Sequence, residues 1–333
     1  MRKITMLLFV VLLLLSGCSK AGQKEVLQVY TGMDTAYMIR IAEQFERDTG
    51  IHISFQRKSN LEILQSLENG EEEFDIWYGG SSFLMEEAKQ QGLLEPYISD
   101  YREEIDEIYK DEEGYWTGIS VGVLAIVTNR QWHVEQGVSN PQRWSDLQRV
   151  EYKNWLTLPN PESTEAGYLT IALFDELYGD LRTRSVLQNI NQNVTDYTLA
   201  EDSTGRFIGY KESAATIMFA HDAMRLKNEG FNELNIIYPT EPTTYEVEAI
   251  AMTTDAQNQE AAQEFIDWSL TKEAQEIGQR IGNYHMLTNV NAVNPPQSVS
   301  LDELLIIPVD EEEAVESRSN LISDFKEVIQ FRE

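Results

Sequence analysis

The sequence holds one cysteine, four histidines and only 26 basic residues against 56 acidic ones in 333 positions, a formal charge of −30. Each shortage excludes something. A single thiol, Cys18, cannot close an intrachain disulfide or fill a multi-cysteine zinc or iron–sulfur site. Four histidines leave little room for a multi-histidine metal centre, so neither a metal nor a cofactor is expected. So acidic a chain is unsuited to nucleic acid, whose phosphates are neutralised by clustered Lys and Arg. It also lacks a basic face for an anionic membrane. No Gly-x-Ser-x-Gly elbow, His-Glu-x-x-His or phosphate-cradling Gly-x-x-x-x-Gly-Lys-Ser/Thr loop is present, so the chain does not read as an enzyme. The acidic runs at residues 71–73 and 311–313 read as solvated charge, not as paired catalytic acids.

One unbroken apolar run, residues 6–15, spans ten residues, well short of the ~20 that a membrane-crossing helix needs. No later stretch approaches that length. Arg2 and Lys3 precede the run, which gives it the form of a signal-peptide core. Leu15-Ser16-Gly17-Cys18 then resembles the lipobox of bacterial lipoproteins, where the leader is cut before the cysteine and the thiol carries a diacylglycerol. The resemblance implies a leader over 1–17, a lipid anchor at Cys18, a polar tether over 18–25, and an extracytoplasmic location at the cell membrane. Loss of Arg2 and Lys3 leaves 24 basic and 56 acidic residues, a net −32.

The exported part reads as alternating strands and helices. Residues 26–30 form a buried strand, and Met38, Ile41, Ala42 and Phe45 follow helical spacing until Asp48-Thr49-Gly50 stops them. Ile51, Ile53 and Phe55 alternate as a second strand; Leu61, Leu64 and Leu67 mark a second helix. Residues 74–78 form a third strand, and Gly79-Gly80-Ser81-Ser82 opens a helix at Phe83. This βαβαβα order argues for α/β lobes, each a mostly parallel sheet flanked by helices. Ligands in such sheets sit at the carboxyl ends of the strands. Residues 119–128 and 236–251 read as two chains crossing between lobes. Between them lies a second α/β pattern, with strands at 156–158 and 216–219 and helices at 168–178 and 223–229. Amphipathic helices at 260–279 and 317–331 complete the chain.

Val29-Tyr-Thr-Gly32, Phe45-Glu-Arg-Asp-Thr-Gly-Ile51, Phe74-Asp-Ile-Trp-Tyr-Gly-Gly-Ser81, Gly92-Leu-Leu-Glu-Pro96 and Tyr115-Trp-Thr-Gly118 are followed by Trp144-Ser-Asp-Leu147, His221-Asp-Ala223 and Ala261-Ala-Gln-Glu-Phe-Ile266. Their order and spacing resemble family 1, "iron(III)-type", extracellular solute-binding proteins of bacterial ATP-binding-cassette importers. That resemblance implies a two-lobed periplasmic-binding fold with the ligand between the lobes: 26–121 and 245–290 as lobe 1, 122–244 as lobe 2, and 291–333 packing on both. It further implies a receptor serving an importer's permease, hinged near residues 118–123 and 239–248, with a monomer as the default oligomeric state. The alternative is a lipoprotein that presents its ligand to a membrane sensor kinase. Ferric members use two adjacent tyrosines, and no Tyr-Tyr pair exists here. Other members bind phosphorylated sugars, phosphonates, or thiamine and its phosphates. The His221-Asp222 pair with a downstream Glu246 resembles the sugar-phosphate branch, in which such groups hold sugar hydroxyls.

A small anionic solute must be held locally, because the long-range field of the chain opposes it. Helix N-termini supply free N–H groups and a partial positive charge without basic side chains. The expected donors are Thr31 and Gly32; Gly80, Ser81 and Ser82; Ser163 and Thr164; and Ser203 and Thr204, with Arg206 beside them. The same residue types make ordinary caps and tight turns. Lys58 and Ser59 follow the second strand, where Lys58 can pair with a phosphate or lie solvated. Asp222 is either the N-cap of the helix from Ala223 or an acceptor for two hydroxyls, with His221 and Glu246 beside it. Tyr30, Trp77 and Tyr78 can stack on a sugar face or pack in the core.

Overall fold

The computed structural model describes residues 26–70 and 72–330; the leader, Cys18, the tether and Phe331 lie outside the described residues. Three parallel units open the chain. Strand β1 (Val26–Thr31) leads to helix α1 (Thr35–Thr49), β2 (His52–Arg57) to α2 (Asn60–Asn69), and β3 (Ile76–Ser81) to α3 (Ser82–Gln90). Helix α1 buries Met38, Ile41 and Phe45 on one face and ends where Gly50 takes a left-handed φ of 81°, a conformation that costs glycine little. Helix α2 buries Ile63, Leu64 and Leu67; Leu61, expected on that stripe, instead faces a cavity.

After the short β4 (Leu94–Glu95), the chain enters β5 (Thr117–Asn129), all 13 of whose residues are buried. Helix α4 (Arg130–Gln136), β6 (Leu156–Pro159), α5 (Glu165–Tyr178), α6 (Asp180–Asn191), β7 (Val194–Thr198), α7 (Glu201–Gly209), β8 (Ala215–Phe219), α8 (Ala220–Asn228) and β9 (Leu234–Ile237) follow. The chain then returns through β10 (Tyr245–Thr253), α9 (Gln259–Leu270), α10 (Lys272–Gln275), β11 (Met286–Leu287) and the terminal α11 (Glu311–Gln330).

The strands run in the order β2-β1-β3-β10-β5-β8-β6-β7. Strand β5 serves both halves. Its first part, from Thr117 to Val123, pairs antiparallel with β10, and its second, from Leu124, pairs with β8 and β9. The expected crossing over 236–251 is therefore split: β9 stays with the second half and β10 joins the first. The largest core cluster runs through both halves, joined where Phe83 meets Tyr168 at 5.0 Å, and a second cluster lies within the first half alone. Phe45 meets Phe265 edge-on at 4.9 Å between ring centroids in the first half, and Trp144 meets Phe174 at 6.0 Å in the second. Helix α11 lies across both, through Arg318 to Glu87 of α3 and through the Tyr168 hydroxyl of α5 to the Ala314 carbonyl.

Three local expectations are corrected. Gly79 and Gly80 lie inside β3, while Ser81 ends that strand and is the N-cap of α3, which starts at Ser82 and not at Phe83. Gly80 lies against the Trp77 indole, where a Cβ would come within 2.4 Å of Nε1, so the glycine allows strand and side chain to approach. Residues 202–206, whose polar sequence reads as a small loop before a helix, lie within α7. Its Gly205 abuts Leu226 at 2.3 Å from a would-be Cβ, so the residue that suggests a loop permits tight helix packing. Helix α11 begins at Glu311, whose carboxylate accepts a hydrogen bond from Ser82 and is not freely solvated; burial raises its pKa.

Candidate functional site

A cavity of about 770 Å³ opens where the two halves of the sheet meet. From the first half it is lined by Gly32, Arg57, Lys58 and Ser59, and from the second by Ser163, Ala200, His221 and Arg225. Glu246 and Glu248 of β10 and His285, just before β11, complete it. Among the expected site residues, Gly32, Lys58, Ser59, Ser163, His221, Asp222 and Glu246 are brought together here.

The others are turned elsewhere. Thr31 is fully buried and its Oγ1 accepts from the Met33 N–H. Gly80 and Ser81 lie inside β3, with Ser81 paired in register with Glu248, and Ser82 binds Glu311. Thr164 caps α5, accepting from the Gly167 N–H and donating to the Asn160 carbonyl. Ser203 sits in the first turn of α7, and Thr204 bonds the Thr198 hydroxyl inside the core. Arg206 pairs with Glu229 at 2.9 Å and stacks over Phe231. Tyr30 stacks on Phe74, and Trp77 is fully buried with its N–H on Asn60.

The helix starts are of two kinds. Asp34 caps α1 by accepting from the Ala36 and Tyr37 N–H groups, and Ser59 caps α2 in a capping box with Glu62, so an anion at either would displace an existing partner. At α7 and α8 the N-cap positions are Ala200 and Phe219, with no side-chain cap, and both residues line the cavity. Asp222 is thus not the N-cap. It lies within the first turn of α8 and pairs with Arg225 at 3.2 Å. Cationic side chains supplement the helix starts more than expected. Lys58 pairs with Glu72 at 2.5 Å and sits over the Tyr30 ring, while the Arg57 Nε donates to the Met33 carbonyl.

A tight polar cluster lies on the cavity wall. One ring nitrogen each of His221 and His285 and a carboxylate oxygen of Glu248 all fall within 4.8 Å of one another. The Ser120 hydroxyl donates to Glu248 Oε2, which is 3.4 Å from His285 Nδ1. Burial raises the pKa of Glu248 to about 7, opposed by the Ser120 hydrogen bond. Burial lowers His285 to about 4, with Asp222 acting against the shift, and drives His221 well below its ordinary value. These directions favour neutral imidazoles at both histidines near neutral pH, whereas Glu248, raised to about 7, is divided between its acid and carboxylate forms there.

Arg57, Arg225, Glu248 and His285 were not expected at the site. Glu248 had a signal: Glu246 and Glu248 share one face of an otherwise apolar strand. His285 had none, because only the pairing of β11 with Val121 and Ser120 of β5 carries it to the cavity. Two of the four histidines therefore meet, despite the scarcity that argued against it.

Similarity to known proteins places the chain. The fructose-6-phosphate-bound periplasmic binding protein AfuA of Actinobacillus pleuropneumoniae superposes with a TM-score of 0.87 at 26% identity, covering 93% of this chain and 100% of that one. The ferric binding protein of Campylobacter jejuni shares the fold, with a TM-score of 0.76 at 21% identity over 91% and 99% of the two chains. In sequence, an Fe(3+)-binding periplasmic protein of Serratia marcescens is 21% identical over 90% of this chain and 89% of its own. The architecture is thus the two-lobed, mixed α/β fold of periplasmic binding proteins. The family described as "Bacterial extracellular solute-binding protein" matches residues 27–282, and the chain belongs to that family.

Proposed function

We propose that the chain is a lipid-anchored receptor of an ATP-binding-cassette importer that captures a phosphorylated sugar between its two halves. The lobes are taken as 26–121 with 245–290, and 122–244, hinged at β5 and the return into β10. The phosphate is received by Arg57, Lys58 and Ser163 together with the uncapped helix starts at Ala200 and Phe219, where N–H groups and the helix dipole favour an anion. Sugar hydroxyls are received by Asp222, His221 and Glu246. A carboxylate placed to accept hydroxyls discriminates, because a solute lacking them is desolvated against it without returning those hydrogen bonds. Closure then buries the solute and creates the surface that the permease reads. Cys18 carries the anchor.

The observation that carries this reading is one polar cavity lined from both halves, which combines cationic and N–H donors with hydroxyl acceptors. AfuA, bound to fructose 6-phosphate, is consistent with the same solute class here. A thermal-shift panel of hexose phosphates, free hexoses, inorganic phosphate, aminoethylphosphonate, thiamine and ferric citrate tests it. A ligand at ~100 times its Kd stabilises by ~2.7 kcal/mol. Hexose phosphates are expected to raise the midpoint while the parent sugars leave it in place. A rise with ferric citrate alone would overturn the proposal.

A further inference from the structure

We infer that His221, His285 and Glu248 form a binding site for a divalent transition-metal ion of borderline softness, of which Zn²⁺ is the type. The three ligand-type atoms lie within 4.8 Å of one another and come from separate elements: the first turn of α8, strand β10 and the segment entering β11. Two ligands each ~2.1 Å from a tetrahedral ion stand ~3.4 Å apart. The Glu248 Oε2 to His285 Nδ1 separation is 3.4 Å, so this edge is already at its bound length. The other two separations are no more than 4.8 Å, and the His221 and His285 rings, whose centroids are 3.7 Å apart, must move apart to face one ion together.

Two further observations support the assignment. His221 is only 8% exposed, and its Nδ1 has no hydrogen-bond partner among the described residues. Buried ring nitrogens are ordinarily satisfied, so this one calls for an explanation. The ligands also have an outer shell. Ser120 donates to Glu248, and Asp222 lies 3.6 Å from His221 Nε2. Such partners fix the orientation of a ligating carboxylate or imidazole. Two imidazoles and one carboxylate suit Zn²⁺, Co²⁺, Ni²⁺ or Cu²⁺. The cavity-lining phenol, Tyr284, is engaged by the Asn228 amide at 2.9 Å.

The inference does not rest on the sugar-phosphate reading, so it is tested with metal alone. The purified chain, stripped with chelator, is titrated with Co²⁺ and then Zn²⁺ without any sugar. One equivalent of Co²⁺ is expected to give the visible absorption of a low-coordinate site and to be displaced by Zn²⁺. Glu248→Gln, which keeps the side-chain shape, and His285→Ala should each weaken binding by roughly tenfold or more, with circular dichroism verifying the fold. His52→Ala, at an exposed histidine, should leave it unchanged. No stoichiometric binding, binding that survives both site variants, or loss in His52→Ala would overturn the assignment. Each of those results leaves the sugar-phosphate proposal standing.

Discussion

The imidazoles of His221 and His285 meet edge to face, with ring centroids 3.7 Å apart and planes at 77°. One belongs to a helix of the second half and the other to a segment paired with the first half, so the two halves touch at the cavity wall through these rings. Phe219 stacks parallel on His221 at 5.5 Å, and Gly122 of β5 supplies the floor.

That floor gives the first prediction. A Cβ on Gly122 would lie 2.6 Å from His221 Cε1 and 3.3 Å from Phe219 Cδ1. Gly122→Ala should therefore push the ring from its place, at a stability cost of about 1–3 kcal/mol typical of overpacking. Urea unfolding measures the cost, and a concurrent loss of hexose-phosphate affinity is expected. Unchanged stability and affinity together would show that His221 is not held by this contact.

Asp222→Ala should weaken hexose-phosphate binding by about 10- to 100-fold, since hydrogen bonds to a charged group contribute about 1.5–3 kcal/mol. Titration calorimetry reads the change. Undiminished affinity would reduce Asp222 to the partner of Arg225 that it already is.

His133 predicts a pH effect away from the cavity. Its Nδ1–H donates to the Asn129 carbonyl at 2.9 Å and its Nε2 accepts from the Tyr152 hydroxyl at 3.1 Å, which fixes the neutral ring. Burial lowers its pKa, with Arg149 adding to the shift and the Asn129 bond opposing it. The unfolded chain then binds the extra proton below an ordinary histidine pKa of about 6.5, so this contribution is full above that pH and is lost as the pH falls toward the folded value. Urea midpoints at about pH 7.5 and about pH 5.5 should show a shallower decline in His133→Gln than in the parent chain. Equal declines would contradict this.

Local signals in the sequence reached far into the fold. The spacing of Met38, Ile41 and Phe45 and the stop at Gly50 located α1, and the apolar run around Val121 to Val127 located β5, because both depend on neighbours in sequence. Gly80 and Gly205 misled for one reason: glycine signals a turn locally but here serves close packing against Trp77 and Leu226, which only the tertiary structure brings near. The site divides likewise. Lys58, His221 and Asp222 were legible as strand-end residues, whereas Glu248 and His285 meet through the antiparallel return of β10 and the short pairing of β11. Thr31 and Thr204 carry suitable hydroxyls but turn them inward, a matter of which face of an element is covered.

Titration calorimetry of the chain with fructose 6-phosphate, fructose and inorganic phosphate separately tests the central proposal most directly. One equivalent of the phosphorylated sugar should bind, and neither fragment should bind with comparable affinity, because donors and acceptors of the cavity must be engaged together. Equal affinity for inorganic phosphate, or no binding of any hexose phosphate, would contradict it.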